Sequence, residues 1–145
     1  MSMFQIFGIS GSAVSAQSQR LNVVASNLAN VDTVAGPDGK AYKSKQVVFQ
    51  TELLGASTQP GTPPEAGAAL SGVRVSNIKE DEAPGRRVFD PKHPAADGEG
   101  YVTFSNVNAV DEMVNMIAAS RSYQNNVEVM NTAKTLLQKT LQMGQ

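Results

Sequence analysis

Apolar residues recur at helical spacing near both ends of the chain and at strand spacing between them. From Ser2 to Asn30 there is no proline, and Phe7, Val14, Leu21 and Leu28 follow at seven-residue intervals. Val24 and Val31 fill the second seam position of this heptad, which Ser10 and Gln17 interrupt. Ile6, Ile9, Ala13 and Ala16 make a second stripe on a neighbouring face. A helix with two apolar faces expects more than one neighbour. Gly8 and Gly11 each weaken a helix by about 1 kcal/mol relative to Ala. The first ten residues are therefore expected to be helical only when packed.

The same signal returns from Asn108 to Met143. Met113, Val127 and Leu141 share one seam position, with Ser120 and Lys134 as exceptions, and Met116, Tyr123, Met130 and Leu137 share the other. Asn108 is positioned as an N-cap, Asp111 and Glu112 fall in the first turn, and Lys134 and Lys139 lie towards the far end. That order of charge suits the helix dipole. At 1.5 Å per residue such a helix is about 50 Å long, too long for this chain to bury on all sides. The two terminal helices are expected to pair as a coiled coil.

Between them the period changes. Gly36-Pro37-Asp38-Gly39 is a turn signal, and Tyr42 to Gln50 carries the strand-like Gln46-Val47-Val48-Phe49. Gly55 to Leu70 holds three Pro, three Gly and four Ala with one charge, and reads as a flexible loop. Val73, Val75 and Ile78 suggest a second strand, Val88-Phe89 a third and Tyr101 to Phe104 a last one, after a tight connection from Asp90 to Gly100. The predicted fold class is α+β: an N-terminal helix over residues 1–33, a small β-rich insertion over 34–107 with a flexible loop at 55–70, and a C-terminal helix over 108–145.

Composition narrows the function. Among 145 residues, 12 Lys and Arg face 13 Asp and Glu, so the charge balance argues against a nucleic-acid surface. There is no Cys, hence no disulfide or thiolate site. No apolar run approaches the roughly 20 residues of a membrane span. Arg20 is the only base before Lys40, so no cleavable secretory signal is expected. With 17% charged and 6% aromatic residues the core is lean, which favours burial completed against partners.

Catalytic chemistry is thin. His93 sits between Pro91 and Pro94 with Asp97 and Glu99 after it, a conceivable metal or acid–base site centred on the chain's one histidine. Glu80-Asp81-Glu82 lacks the glycine and ligand spacing of a calcium loop. Gly8-Ile9-Ser10-Gly11-Ser12 has neither the preceding strand nor the Lys-Ser/Thr of a phosphate loop. No catalytic residue, cofactor, metal or small-molecule substrate is expected. Two amide-rich stretches say more: residues 26–33, Ser-Asn-Leu-Ala-Asn-Val-Asp-Thr, and residues 121–132 with Asn125, Asn126 and Asn131. Asn27 and Asn30 either close a helix or bond across a packed interface, where a buried Asn fixes register.

These stretches carry a resemblance. Residues 26–33 resemble the N-terminal signature of bacterial flagellar rod and hook proteins, and Tyr123-Gln124-Asn125-Asn126-Val127-Glu128-Val129-Met130-Asn131-Thr132 is similar to their closing helix. Gly36 to Gly39 followed by Tyr42, Lys45-Gln46-Val47-Val48-Phe49, and Asp90-Pro91-Lys92-His93-Pro94 through Gly100-Tyr101-Val102 point to a proximal rod subunit within that family. The resemblance implies a structural subunit of the drive shaft, stacked helically around an export channel. It also implies export by the flagellar type III apparatus and termini that order on assembly. Expected partners are copies of itself and other rod proteins, with a basal-body ring or export-gate adaptor as a further neighbour. The expected subunit interface comprises Leu21, Val24, Asn27, Leu28, Asn30, Tyr123, Asn126, Val127, Met130, Asn131, Leu137 and Leu141. The competing readings are another axial protein of hook or rod type, and a ligand-binding domain or enzyme centred on His93, Asp97 and Glu99.

Overall fold

A computed structural model of the chain describes residues 3–54 and 70–144. Two long helices, α1 (Met3–Ala29) and α2 (Ala109–Met143), enclose four strands in sequence: β1 (Lys45–Leu54), β2 (Leu70–Glu80), β3 (Arg87–Phe89) and β4 (Tyr101–Thr103). This is the α+β arrangement expected. Residues 55–69 of the proline-rich loop lie outside the described residues, whereas Leu70 opens β2.

The helices pack against each other. Arg20 Nη2 donates to Asn115 Oδ1 at 3.1 Å, and Ser105 Oγ donates to the Val31 carbonyl at 2.7 Å, so the two chain directions oppose. One turn further along each helix, Ala16 and Ala119 are both fully buried. Small residues at this level let the helix axes approach closely. Met116, Tyr123, Met130 and Leu137 are half-buried in the expected seam. The other seam differs from expectation. It is Glu112, Ala119, Asn126 and Ala133, while Met113 and Leu141, expected there, are mostly exposed. Close approach selects for small side chains, and an alanine or amide seam is invisible to a count of large apolar residues. On α1, Ser10 is buried at a seam position already held by Val24. Its polarity interrupts the pattern without interrupting the packing.

α2 begins as expected: the Asn108 side chain accepts from the Val110 N–H at 3.0 Å, ahead of Asp111 and Glu112. α1 ends by tightening, with the Asn30 and Val31 N–H groups reaching Asn27 and Leu28 carbonyls three residues back.

β1 and β2 form a long antiparallel pair, with Val47 opposite Ile78, Phe49 opposite Val75 and Thr51 opposite Val73. Ser76 has no partner, and this bulge keeps Val73, Val75 and Ile78 on one face despite their uneven spacing. That apolar face lies against α1, whereas Gln46, Lys79, Asn77, Gln50 and Arg74 occupy the other. β3 and β4 form a second, three-residue pair, and Val34 bridges to Phe104 beside it. Gly85 passes so close to the Phe104 carbonyl that any Cβ there would collide with it.

Replacing Ala119 with Leu is expected to force the helices apart and lower stability by about 1–3 kcal/mol, measured by urea unfolding. An unchanged midpoint would place the closest helix approach elsewhere.

Candidate functional site

Asn27, in the last full turn of α1, is completely buried. Its Oδ1 accepts from the Lys45 N–H at 2.9 Å and from the Tyr42 hydroxyl at 3.1 Å. Its Nδ2 donates to the Lys45 carbonyl at 2.7 Å and lies 3.4 Å from Ser44 Oγ. The side-chain amide thus pairs with both peptide groups of the residue that opens β1, as a neighbouring strand would. Asn106 grips the same stretch from the other side. Its Oδ1 accepts from the Ser44 N–H at 2.6 Å, and its Nδ2 donates to the Asp81 and Ala83 carbonyls, each at 3.0 Å. The end of α1, the start of β1, the end of β2 and the approach to α2 therefore meet in one saturated cluster.

Asn27 and Val24 are two of the residues expected at a subunit interface. Both are buried within the subunit, and the bonds of Asn27 run to its own chain. Asn27 ties the end of α1 to the start of β1. Asn30 Nδ2 returns to the Ser26 carbonyl at 2.8 Å, and Asn126 Nδ2 to the Ser122 carbonyl at 2.8 Å, so both amides close local helix bonds. Leu21, Leu28, Tyr123, Val127, Met130 and Leu137 are half-buried on the helix pair, and Asn131 and Leu141 are exposed.

A larger apolar surface was not anticipated. Along the first turns of α2, Val110 (67% exposed), Met113, Val114 and Ile117 (56%) face outwards. Leu136, Leu141 and Met143 do so towards its far end. The signal in the sequence is an apolar-rich stretch from Ala109 to Ala119, eight of whose eleven residues are apolar around Asp111, Glu112 and Asn115, more than one helix face can hold. Gln124, Asn125 and Glu128 are exposed along the middle, with Val129 beside them.

The His93 region is committed to its own loop. His93 Nδ1 accepts from the Ala95 N–H at 3.1 Å. Asp97 Oδ1 accepts from the Tyr101 N–H at 2.9 Å and the Glu99 N–H at 3.0 Å, and its Oδ2 takes Arg87 at 2.8 Å. Those bonds, the Tyr101 N–H foremost, hold the Asp97 carboxyl below its ordinary value. Gly100, with φ +83°, turns the loop where a side chain would press on Phe89 and Pro91. Among the described residues no three His, Cys, Asp or Glu side chains gather as a metal site.

Comparison with known proteins agrees with this architecture of two terminal helices around an insertion. Residues 8–37 match the family described as flagella basal body rod protein, and residues 99–143 match the flagellar basal body rod FlgEFG protein C-terminal family. The flagellar basal-body rod protein FlgC of Yersinia enterocolitica is 58% identical over 145 residues, covering the whole of both chains. The chain belongs to the FlgC family of flagellar basal-body rod proteins. The Escherichia coli O157:H7 relative of the same name is 52% identical over the whole of both chains, and that of Borreliella burgdorferi is 35% identical over 97% of each. Family membership gives the exposed helix faces a context in a multi-subunit body.

Asn27→Ala is expected to leave the Lys45 N–H and carbonyl short of the amide that pairs with them, while the Tyr42 hydroxyl keeps Ser26 Oγ at 3.2 Å, at about 1–3 kcal/mol for each buried group unpaired. Denaturant unfolding should show a much larger loss than for Asn30→Ala, whose amide bonds one exposed carbonyl. Because the folded carboxyl of Asp97 titrates below 3.8, its contribution is complete above that value and is lost as pH falls through the lower, folded one. Amide exchange at Glu99 and Tyr101 should therefore rise only in strong acid, and Asp97→Asn should abolish that step.

Proposed function

We propose that this chain, a structural subunit of the flagellar basal-body rod, polymerises through its paired terminal helices to build the proximal section of the shaft. In this reading it transmits torque and contributes to the wall of the export channel. The observation that carries it is the outward apolar face of α2 on a fold whose helices and β insertion are joined by Asn27 and Asn106. A shaft must not slip between subunits, and burial of large side chains across each contact supplies adhesion of roughly 1.5–3 kcal/mol per fully buried residue. The saturated cluster around Asn27 and Asn106 supplies rigidity, because load on the β insertion passes to both helices through bonds that have no slack.

The partners in this reading are other rod proteins and further copies of the chain, with a basal-body ring or export-gate adaptor at one end. In this reading the rod spans the periplasm, and the subunit reaches it through the flagellar type III apparatus. The role is mechanical rather than enzymatic. The carboxylates near His93 support this view, since Asp97 is occupied by backbone N–H groups and Arg87.

Ile117→Asp tests the reading on a side chain that the subunit itself leaves exposed. The variant is expected to fold with a stability change within about 0.5 kcal/mol, yet to be missing from isolated basal bodies and to leave cells non-motile. Normal swimming by cells carrying it would remove the outer face of α2 from the assembly.

A further inference from the structure

Asn27 covers only the first position of a longer open edge. In an antiparallel pair, residues whose peptide groups point at the partner strand alternate with residues whose peptide groups point away from it. Two contacts fix which residues of β1 point away. The Lys45 N–H and carbonyl bond to Asn27, and Val73, which stands opposite Thr51, gives its N–H to Ser12 Oγ at 3.1 Å. Val47, Phe49 and Thr51 therefore turn their N–H and carbonyl groups away from β2, where no described residue bonds to them. β1 has no proline and the bulge lies on β2, so the edge lacks two of the devices that commonly block strand addition. We propose that an extended segment of another basal-body chain adds to β1 as a third strand, pairing with the peptide groups of Val47, Phe49 and Thr51. This rests on the rod-subunit reading for where the partner is met, and uses a surface separate from the apolar face of α2.

The space beside this edge suits such a segment. A cleft of about 500 Å³ is lined by Val47 and Phe49 of β1, Arg20 and Val23 of α1, and Glu112 and Asn115 of α2, and by no described residue of β2. It therefore lies on the open side of β1. Phe49, 37% exposed, gains cover when the cleft is filled, and a two-stranded pair that is marginal alone gains a third strand. Charge narrows the occupant. Arg20 and Lys45 share the cleft with Glu112, so a charged side chain of either sign meets a like charge there. The side chain that enters is accordingly an amide or a hydroxyl, and the Asn27 amide is the precedent for polar pairing along the same edge. Pairing of β1 with β1 of a second copy closes on a two-fold axis, and a shaft with distinct ends has no such axis between its subunits. The segment is therefore assigned to a different chain.

Residue-resolved amide exchange on the full chain, free in solution and in isolated basal bodies, tests this. In the free chain Gln46 and Gln50, whose N–H groups face β2, are expected to exchange slowly, and Val47, Phe49 and Thr51 fast. In basal bodies the second set should slow by at least about tenfold, the factor that one hydrogen bond supplies, so that protection no longer alternates. Thr51→Pro removes an outward N–H that the hairpin does not use, whereas Thr51→Val keeps it. Proline copies should lose the slowing at Val47 and Phe49, or stay out of basal bodies that accept the valine copies. Fast outward amides in basal bodies that contain the chain overturn strand addition and leave rod membership standing, as does slowing that Thr51→Pro leaves intact. Outward amides already slow in the dilute free chain mean that the chain covers its own edge, and slowing that grows with its concentration means a second copy. Either result overturns the assignment to a different chain. Absence of the native chain from basal bodies overturns the rod-subunit reading instead.

Discussion

The amide of Asn27, bonded to both peptide groups of Lys45, is the interaction on which the other elements depend. A two-stranded hairpin is marginal in isolation, and a helix pair joined by a long insertion has no reason to keep it in one place. Asn27 supplies that reason by acting as a strand edge at the end of a helix. Asn106 repeats the device from the α2 side on Ser44, the adjoining residue. The helical pair and the β insertion are consequently one mechanical body.

The helical pair itself is held by closeness rather than bulk. Ala16 and Ala119 are buried at one level and Ala133 further along, while Ser10 and Asn126 take seam places where large apolar residues would usually stand. Gln17 Oε1 and Glu112 Oε2 are buried with no hydrogen-bond partner among the described residues. Such a seam yields modest burial within the subunit. Met116, Tyr123, Met130 and Leu137 add to it half-buried, while Val110, Met113, Val114 and Ile117 point the other way and stay exposed. Stability of long helices comes mainly from packing, and within the chain that packing is confined to the inner side of α2.

The β insertion shows how a local irregularity serves a global face. Val73, Val75 and Ile78 do not alternate in sequence, and a regular strand would turn Ile78 away from Val73. The unpaired Ser76 absorbs the odd residue. The loop from Asp90 to Gly100 is likewise organised by one carboxylate, Asp97, which links two backbone N–H groups and Arg87. What reads in sequence as a chemical cluster around His93 is a turn scaffold.

Periodicity alone establishes the two terminal helices, their pairing, the Met116-Tyr123-Met130-Leu137 seam, the Asn108 cap and the β-rich insertion, because each depends on short-range spacing and side-chain type. The amide-rich motifs at residues 26–33 and 123–132 suffice for the family resemblance. Packing decided the rest. It chose Glu112, Ala119, Asn126 and Ala133 over Met113 and Leu141 for the inner seam, since the distance between helix axes is a property of two elements together. It likewise made Asn27 the latch between α1 and β1. An amide's partner depends on which backbone the folded chain brings to it, and Lys45 is eighteen residues away in sequence.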